Sequence, residues 1–169
     1  MAYPTGINFK STSTQLGIQA IQTTSTTQQH PLGTTVSAVD ATYGAGKFIY
    51  LLGVASTAAG DAVVFDSKVG TTTRTVAASR GQVGIAMSAN VASQYGWYQV
   101  DGAAVVNTAS AGTGAANSGV QTSATAGQLT VSGTSAQKID GARCTAAQDT
   151  PTSGYTQVQL SSPVANGNT

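Results

Sequence analysis

The longest apolar run of the chain, Phe48 to Ala55, reads Phe-Ile-Tyr-Leu-Leu-Gly-Val-Ala. A globular helix usually needs roughly 10 to 12 residues, whereas a short run of aliphatic and aromatic side chains is typical of a strand buried on both faces. One face of such a strand meets the core of its own domain. The other face needs a cover, and the sequence leaves open whether a second sheet or another subunit supplies it.

Further short strands are predicted, with glycine-containing turns between them. Ala62–Phe65 and Gln82–Met87 are apolar enough for buried strands, and Tyr155–Leu160 alternates between two faces. The Asp101-Gly102 pair, which lies between two apolar stretches, predicts a two-residue hairpin turn. Strands at this spacing, with no long amphipathic helix, predict an all-β fold in the form of a small β-barrel or β-sandwich.

The length of 169 residues fits one domain, because domains typically contain about 100 to 200 residues. Residues 1–30 are rich in Ser, Thr and Gln and sparse in apolar residues, so we predict an extended N-terminal arm. An arm of this length spans up to about 100 Å, and a disordered tail is the alternative. Residues 31–169 are predicted to form the β-rich domain, with a loop or internal boundary at 108–125.

The charge of the chain argues against a nucleic-acid partner, and the lack of a long apolar stretch argues against a membrane. Lys and Arg number 7, the acidic residues number 6 and are all Asp, and the net charge is +1. A nucleic-acid surface needs clustered cations that release counterions, whereas these cations are dispersed along the sequence. No apolar stretch approaches the about 18 residues of a membrane span. We therefore predict that the protein binds neither nucleic acid nor membrane.

The N-terminus has neither the basic region nor the apolar run of a secretory signal. Yet a weakly charged chain rich in Thr, Ser, Ala, Gly and Gln is typical of extracellular surface modules. Proteins that are made in the cytoplasm and reach the outside without secretion include components of virus particles. Composition therefore predicts a virion protein that is synthesised in the host cytoplasm.

Few residues have side chains that could act in catalysis or bind a metal ion or a phosphate. His30 is the only imidazole and lies between a polar stretch and a proline, and Cys144 is the only cysteine, so no intramolecular disulfide or thiolate metal site forms. Gly44–Lys47 lacks the first glycine and the final hydroxyl residue of a phosphate-binding loop. Asp61 and Asp66 do not follow a calcium-loop spacing and are interpreted as solvated turn residues. We predict a protein without catalytic, cofactor-binding or metal-binding residues, hence not an enzyme.

Two adjacent aromatic residues, Trp97 and Tyr98, stand out because aromatics make up only 6% of the chain. On a strand they point to opposite faces, so an exposed member would anchor a protein or a sugar. The alternative is that both belong to a thin core. Together with apolar residues of the N-terminal arm they form our predicted partner interface: Tyr3, Phe9, Leu16, Ile18, Ile21, Trp97 and Tyr98.

One part of the chain resembles a known group of proteins. The resemblance lies in the succession His30–Thr34, Gly46–Ala55, Ala59–Val63, Val83–Met87 and Tyr95–Trp97. These stretches are similar to small structural proteins of tailed bacteriophages, mostly capsid decoration (cement) proteins. The resemblance covers residues 28 to 107, approximately, and contains no catalytic signature.

The resemblance implies a β-rich subunit that binds the outer surface of a phage capsid and stabilises it by bridging capsid subunits. Its implied partners are the major capsid protein and further copies of itself, and we predict a trimer on the capsid exterior. Two alternatives remain: a head or tail fibre or adaptor subunit of the virion, and a carbohydrate-binding adhesion module that uses Trp97 or Tyr98. An enzyme that uses His30 as its base ranks last.

Overall fold

A computed structural model describes residues 7–11, 17–109, 115–131, 138–145 and 154–167. The described residues form β-strands joined by turns and loops, with no helix among them, which confirms the all-β prediction. The strands are β1 (Lys10–Ser11), β2 (Thr35–Asp40), β3 (Gly44–Leu52), β4 (Ala62–Phe65), β5 (Thr72–Arg74), β6 (Arg80–Ala86), β7 (Tyr95–Asn107), β8 (Gly119–Thr122), β9 (Leu129–Val131), β10 (Lys138–Cys144) and β11 (Tyr155–Asn166). The described residues contain no helix with the length and hydrophobicity that crossing a membrane requires.

The strands belong to one sheet of order β1-β2-β3-β7-β6-β11-β10-β8-β9, and β4 pairs with β6 and with β5 beside this path. The longest strands are β7 and β11, with 13 and 12 residues. β7 pairs with β3 and β6 along its first half and with β11 along its second half, so it belongs to both halves of the sheet. The sheet branches there and does not close, so neither the barrel nor the two-sheet sandwich is confirmed.

Three apolar clusters form the core. An aromatic core lies between the N-terminal residues and strands β2, β3 and β7, a middle core lies among β3, β4, β6 and β7, and a large core lies among β4 and β6 to β11. The aromatic core contains Phe9, Ile21, Val36, Ala38, Phe48, Tyr50, Met87 and Trp97. The middle core contains Ile49, Leu51, Val63, Ala86 and Tyr98. The large core contains Ala62, Val83, Ile85, Ala104, Val106, Val120, Leu129, Ile139, Ala142, Val158, Leu160 and Ala165.

The middle core lies on the opposite face of the sheet from the other two. Tyr50 and Leu51 are consecutive in β3, yet Tyr50 joins the aromatic core and Leu51 the middle core. Ile85 and Ala86 of β6 divide in the same way between the large and middle cores. Consecutive strand residues point to opposite faces, so β3 is buried on both faces along residues 48–51, as its apolar run predicts. The cover of each face comes from the same chain.

The hairpin turn predicted at Asp101-Gly102 is wrong, because both residues lie inside the continuous strand β7. Gly102 has a φ of +91°, which a residue with a side chain rarely adopts. A Cβ at this position would overlap the carbonyl oxygen of Ala45. Gly102 pairs with Gly46 of β3 and also with Leu160 of β11, so the glycine allows β7 to pass from one neighbour to the next.

The described part of residues 1–30 lies against its own domain. Lys10 and Ser11 pair with β2, and Ser25 forms an isolated bridge with Tyr95. Phe9 and Ile21 are buried, at 5% and 1% exposure. An extended arm is therefore not confirmed. Of the predicted loop or boundary at 108–125, the described residues include strand β8, which pairs with β9 and β10.

Candidate partner interface

A row of four side chains crosses the outside of the sheet in direct register. Ser37 on β2 pairs with Lys47 on β3, Lys47 pairs with Asp101 on β7, and Asp101 pairs with Ser161 on β11. Residues that face each other across a ladder project on the same side of the sheet. Ser37, Lys47 and Ser161 are exposed, and Asp101 is half-buried. The row therefore marks a surface that is continuous over four strands.

Further pairs extend this surface. Val39 pairs with Ala45 at one side, and Ala103 pairs with Gln159, which pairs in turn with Arg143 on β10. Val39 is 44% exposed, a high value for an aliphatic side chain. We call this surface the outer sheet face. It consists of Ser37, Val39, Ala45, Lys47, Asp101, Ala103, Arg143, Gln159 and Ser161.

The composition of the outer sheet face suits contact with another protein. Five of its nine side chains are those of Ser, Ala or Val, which lose little rotamer entropy when a partner covers them. Uncharged groups also cost less to remove from water than ions. Lys47, Asp101 and Arg143 add a small number of charges of both signs. The face therefore combines five short side chains, which are easily covered, with charges of both signs that can pair with a partner.

A cleft of about 200 Å³ lies beside the outer sheet face and exposes one end of the middle core. Ile49, Phe65 and Val100 line it together with Lys47. A wider cleft of about 490 Å³ also reaches Phe65 and contains Arg80. The first cleft is smaller than the roughly 300 to 1,000 Å³ of typical small-molecule sites, so it suits a side chain of a partner better than a metabolite.

The residues predicted to form the partner interface lie elsewhere. Trp97 and Tyr98 are 1% and 0% exposed and belong to the aromatic and middle cores. Phe9 and Ile21 are buried in the aromatic core, and Ile18 packs half-buried against it. In this conformation these five side chains contact their own chain rather than a partner. The remaining two, Tyr3 and Leu16, lie outside the described residues.

Asp61 is fully buried, so its interpretation as a solvated turn residue is wrong. Its Oδ2 lies 3.0 Å from both the Arg74 guanidinium and the backbone N–H of Ala58, and its Oδ1 accepts a 2.9 Å bond from Asn107 Nδ2. Arg74 also donates to the carbonyl of Ala126. This network joins β4 and β5 to β7 and to the turn before β9, and its groups satisfy one another, which indicates a structural role.

Two other ionisable side chains, those of Cys144 and Tyr98, are also buried. Burial raises the pKa of the Cys144 thiol and, more than any other cause, that of the Tyr98 hydroxyl. Cys144, which is buried in β10, therefore stays a neutral thiol near pH 7. Among the described residues, no group of three or more His, Cys and Asp side chains is placed to hold a metal ion.

Asp40 fastens the described start of the chain to the sheet. The carboxylate is 3% exposed and accepts backbone N–H bonds from Asn8 at 2.6 Å, Thr42 at 2.7 Å and Tyr43 at 2.9 Å. Burial by itself raises the pKa of Asp40, but these three bonds outweigh it and lower the pKa below its ordinary value. Asp66, in contrast, is an exposed turn residue, as interpreted.

We expect Asp40→Asn to reduce stability by about 1 to 2 kcal/mol at pH 7, because hydrogen bonds to a charged group are stronger than those to a neutral one. Because the pKa of Asp40 is lower in the folded chain than in the unfolded chain, its contribution to stability is present above about pH 4, which is the pKa in the unfolded chain. This contribution is lost as the pH falls through the pKa in the folded chain. The difference between variant and wild type in urea unfolding should therefore shrink towards about pH 2. Asp101→Asn is the control, and an Asp40→Asn deficit that is equal at both pH values would contradict the expectation.

No protein-family model, no curated protein and no solved structure matches this chain. The resemblance to phage structural proteins therefore stays a prediction.

Proposed function

We propose that the protein is a non-enzymatic structural subunit of a phage particle, which binds the outer surface of the capsid and stabilises it by bridging capsid subunits. The resemblance of residues 28 to 107 to capsid decoration proteins supports the proposal. The observation that carries it is the outer sheet face, because that face presents neighbouring strands of one sheet, open and in register, to a partner.

An open face on which neighbouring strands present several short side chains fits a repeating protein shell. Each contact is weak, but several copies held in one oligomer bind with far higher avidity than a single copy. Attachment also stabilises whichever folded subunits it joins, because a ligand that binds only the native state lowers its free energy. We propose self-association, as a trimer, together with the major capsid protein as partner, on the exterior of the virion.

The number of copies per particle distinguishes this function from its nearest alternative. Quantitative gel densitometry of purified particles gives the ratio of this chain to the major capsid protein. A ratio near one, or a simple fraction of it, supports a decoration protein. A few copies per particle would instead indicate a head or tail fibre or adaptor subunit.

A carbohydrate-binding module is less well supported. Its predicted platform was an exposed ring of Trp97 or Tyr98, and both rings are buried. Glycan binding by the wild-type protein, measured on an array, would reverse this preference.

We expect Val39→Arg to weaken capsid binding at least about tenfold, which corresponds to about 1.4 kcal/mol. The long cation would hold the two surfaces apart and would have to lose its water. Co-sedimentation with capsids that lack this protein measures the effect. Thermal unfolding should change little, because exposed substitutions usually alter stability by less than about 0.5 kcal/mol.

Val91→Arg is the matched control for this experiment. Val91 is also an exposed valine, at 57% exposure, but it lies in the loop before β7 and outside the outer sheet face. The proposal requires Val91→Arg to bind like the wild type. If both variants bind capsids equally well, the outer sheet face is not the attachment surface.

A further inference from the structure

One glutamine ties the segment of residues 17–30 to the sheet. The Gln19 carbonyl accepts a 3.0 Å bond from Trp97 Nε1, and its side-chain oxygen accepts a 2.9 Å bond from the Tyr50 hydroxyl. Its side-chain amide donates to the carbonyls of Thr23 and Tyr95, at 2.7 and 3.3 Å. Two backbone bonds between Ser25 and Tyr95 and the buried Ile21 side chain also hold the segment over the aromatic core, and Gln19 contributes the largest group of side-chain bonds.

The remaining backbone group of Gln19 depends on His30. The Gln19 N–H donates a 3.2 Å bond to Nε2 of the His30 ring. That nitrogen accepts, so it carries no proton, and the neutral ring holds its proton on Nδ1. The ring packs perpendicular to Tyr50, with centroids 5.1 Å apart, and lies 5.5 Å from Trp97. This bond therefore exists only while His30 is neutral.

His30 is half-buried, and its ring contacts in the described residues are aromatic or polar rather than ionic. The groups that face it are Tyr50 from β3, Trp97 from β7 and Gln19 from its own segment, and Tyr95 from β7 stacks behind Tyr50. Among the contacts that the described residues make with this ring, none comes from a carboxylate or a cation. Burial raises the pKa of Tyr50 above its ordinary value, so this hydroxyl stays neutral in the range where histidine titrates.

We propose that His30 is an acid-sensitive contact that holds residues 17–30 over the aromatic core, and that its protonation releases this segment. A protonated ring has two N–H donors and no acceptor, so Nε2–H would oppose the Gln19 N–H. Without that bond Gln19 is no longer held in position for Trp97 and Tyr50. Acid then uncovers aromatic side chains that are buried at neutral pH. This inference does not depend on the proposed capsid function.

The chain has one Trp and one His, which makes the test direct. Trp97 is 1% exposed and contacts the segment through its indole N–H. The emission maximum and the acrylamide quenching constant of the full chain are measured from about pH 8 to about pH 5. We expect a red shift and a several-fold rise in quenching as the pH falls. Emission intensity is left aside because a cationic imidazole in contact with an indole quenches it directly.

His30→Gln is the matched variant, because its amide oxygen keeps an acceptor but does not titrate. Both measurements should stay constant with pH in this variant. A wild type whose Trp97 signals do not change above about pH 5, or a variant that changes as the wild type does, would overturn the proposal.

If residues 17–30 of the His30→Gln variant are already released at pH 8, amide hydrogen exchange of the wild type provides an independent test. After correction for intrinsic rates, the N–H groups of Gln19 and Ser25 should lose protection at low pH, while that of Ala62 in β4, which bonds to the Gly127 carbonyl at 2.8 Å, keeps it. Ser25 is a suitable reporter because its N–H bonds to the Tyr95 carbonyl at 3.0 Å. Loss of protection in all three at the same pH would mean global unfolding and would overturn the proposal.

Discussion

Asp61→Ala is expected to lower the free energy of unfolding by about 3 to 5 kcal/mol, the usual cost of removing one partner from a buried ion pair. Asp61 is fully buried, whereas the Arg74 side chain is 27% exposed. The substitution leaves the guanidinium, the Asn107 amide and the Ala58 N–H without their shared acceptor. Domains are stable by only about 5 to 15 kcal/mol, so this single change removes a large part of the total.

Asp66→Ala is the control for Asp61→Ala. Asp66 directly follows β4, as Asp61 directly precedes it, but Asp66 is exposed and its side chain accepts bonds from N–H groups of its own turn, those of Lys68 and Val69. Its loss should cost about 1 kcal/mol or less. Urea unfolding, followed by far-ultraviolet circular dichroism, compares the two variants. Equal losses would mean that the buried network contributes no more than an ordinary turn.

The same aspartate explains a limit of sequence analysis. Asp61 follows a glycine in a turn, and the neighbouring residues make a solvated side chain the natural prediction. Its partners Arg74 and Asn107 lie 13 and 46 residues away, and only the sheet brings them together. A polar residue at a turn can therefore be a core residue whenever long-range partners satisfy it, and local sequence does not identify such partners.

Local sequence patterns were sufficient to predict a buried strand where a short run of residues is apolar throughout. The run Phe48 to Ala55 predicted a strand covered on both faces, and β3 is such a strand. The hairpin turn predicted at Asp101-Gly102 was wrong because a glycine with positive φ is compatible with both a hairpin turn and a bent strand. Which of the two forms depends on the neighbours of Gly102, namely Gly46 and Leu160.

The outer sheet face lay beyond prediction for a different reason. Its members come from five strands, β2, β3, β7, β10 and β11, and each strand contributes only one or two of them. Ser37, Asp101 and Ser161 become neighbours through pairing register alone. The predicted interface instead used large apolar residues such as Phe9 and Trp97. A chain with 6% aromatics places these residues in its core, because few other large side chains are available to fill it.

Trp97→Ala is expected to reduce stability by about 3 to 5 kcal/mol, the range found for removing a buried aromatic side chain. The indole is 1% exposed, lies 5.0 Å from the Tyr50 ring and 5.5 Å from His30, and donates to the Gln19 carbonyl. The substitution leaves a cavity beneath the N-terminal segment and removes this bond. Chemical unfolding at pH 7 measures the loss.

Trp97→Phe separates packing from the hydrogen bond. It keeps an aromatic ring in the cavity but leaves the Gln19 carbonyl without its donor, so we expect a smaller loss than for Trp97→Ala, by about 1 kcal/mol or more. Capsid binding by Trp97→Phe should match the wild type, because Trp97 lies beneath the N-terminal segment and is not part of the outer sheet face. A stable Trp97→Phe protein that no longer binds capsids would restore Trp97 as a partner residue. It would also require the segment over the aromatic core to move aside during attachment.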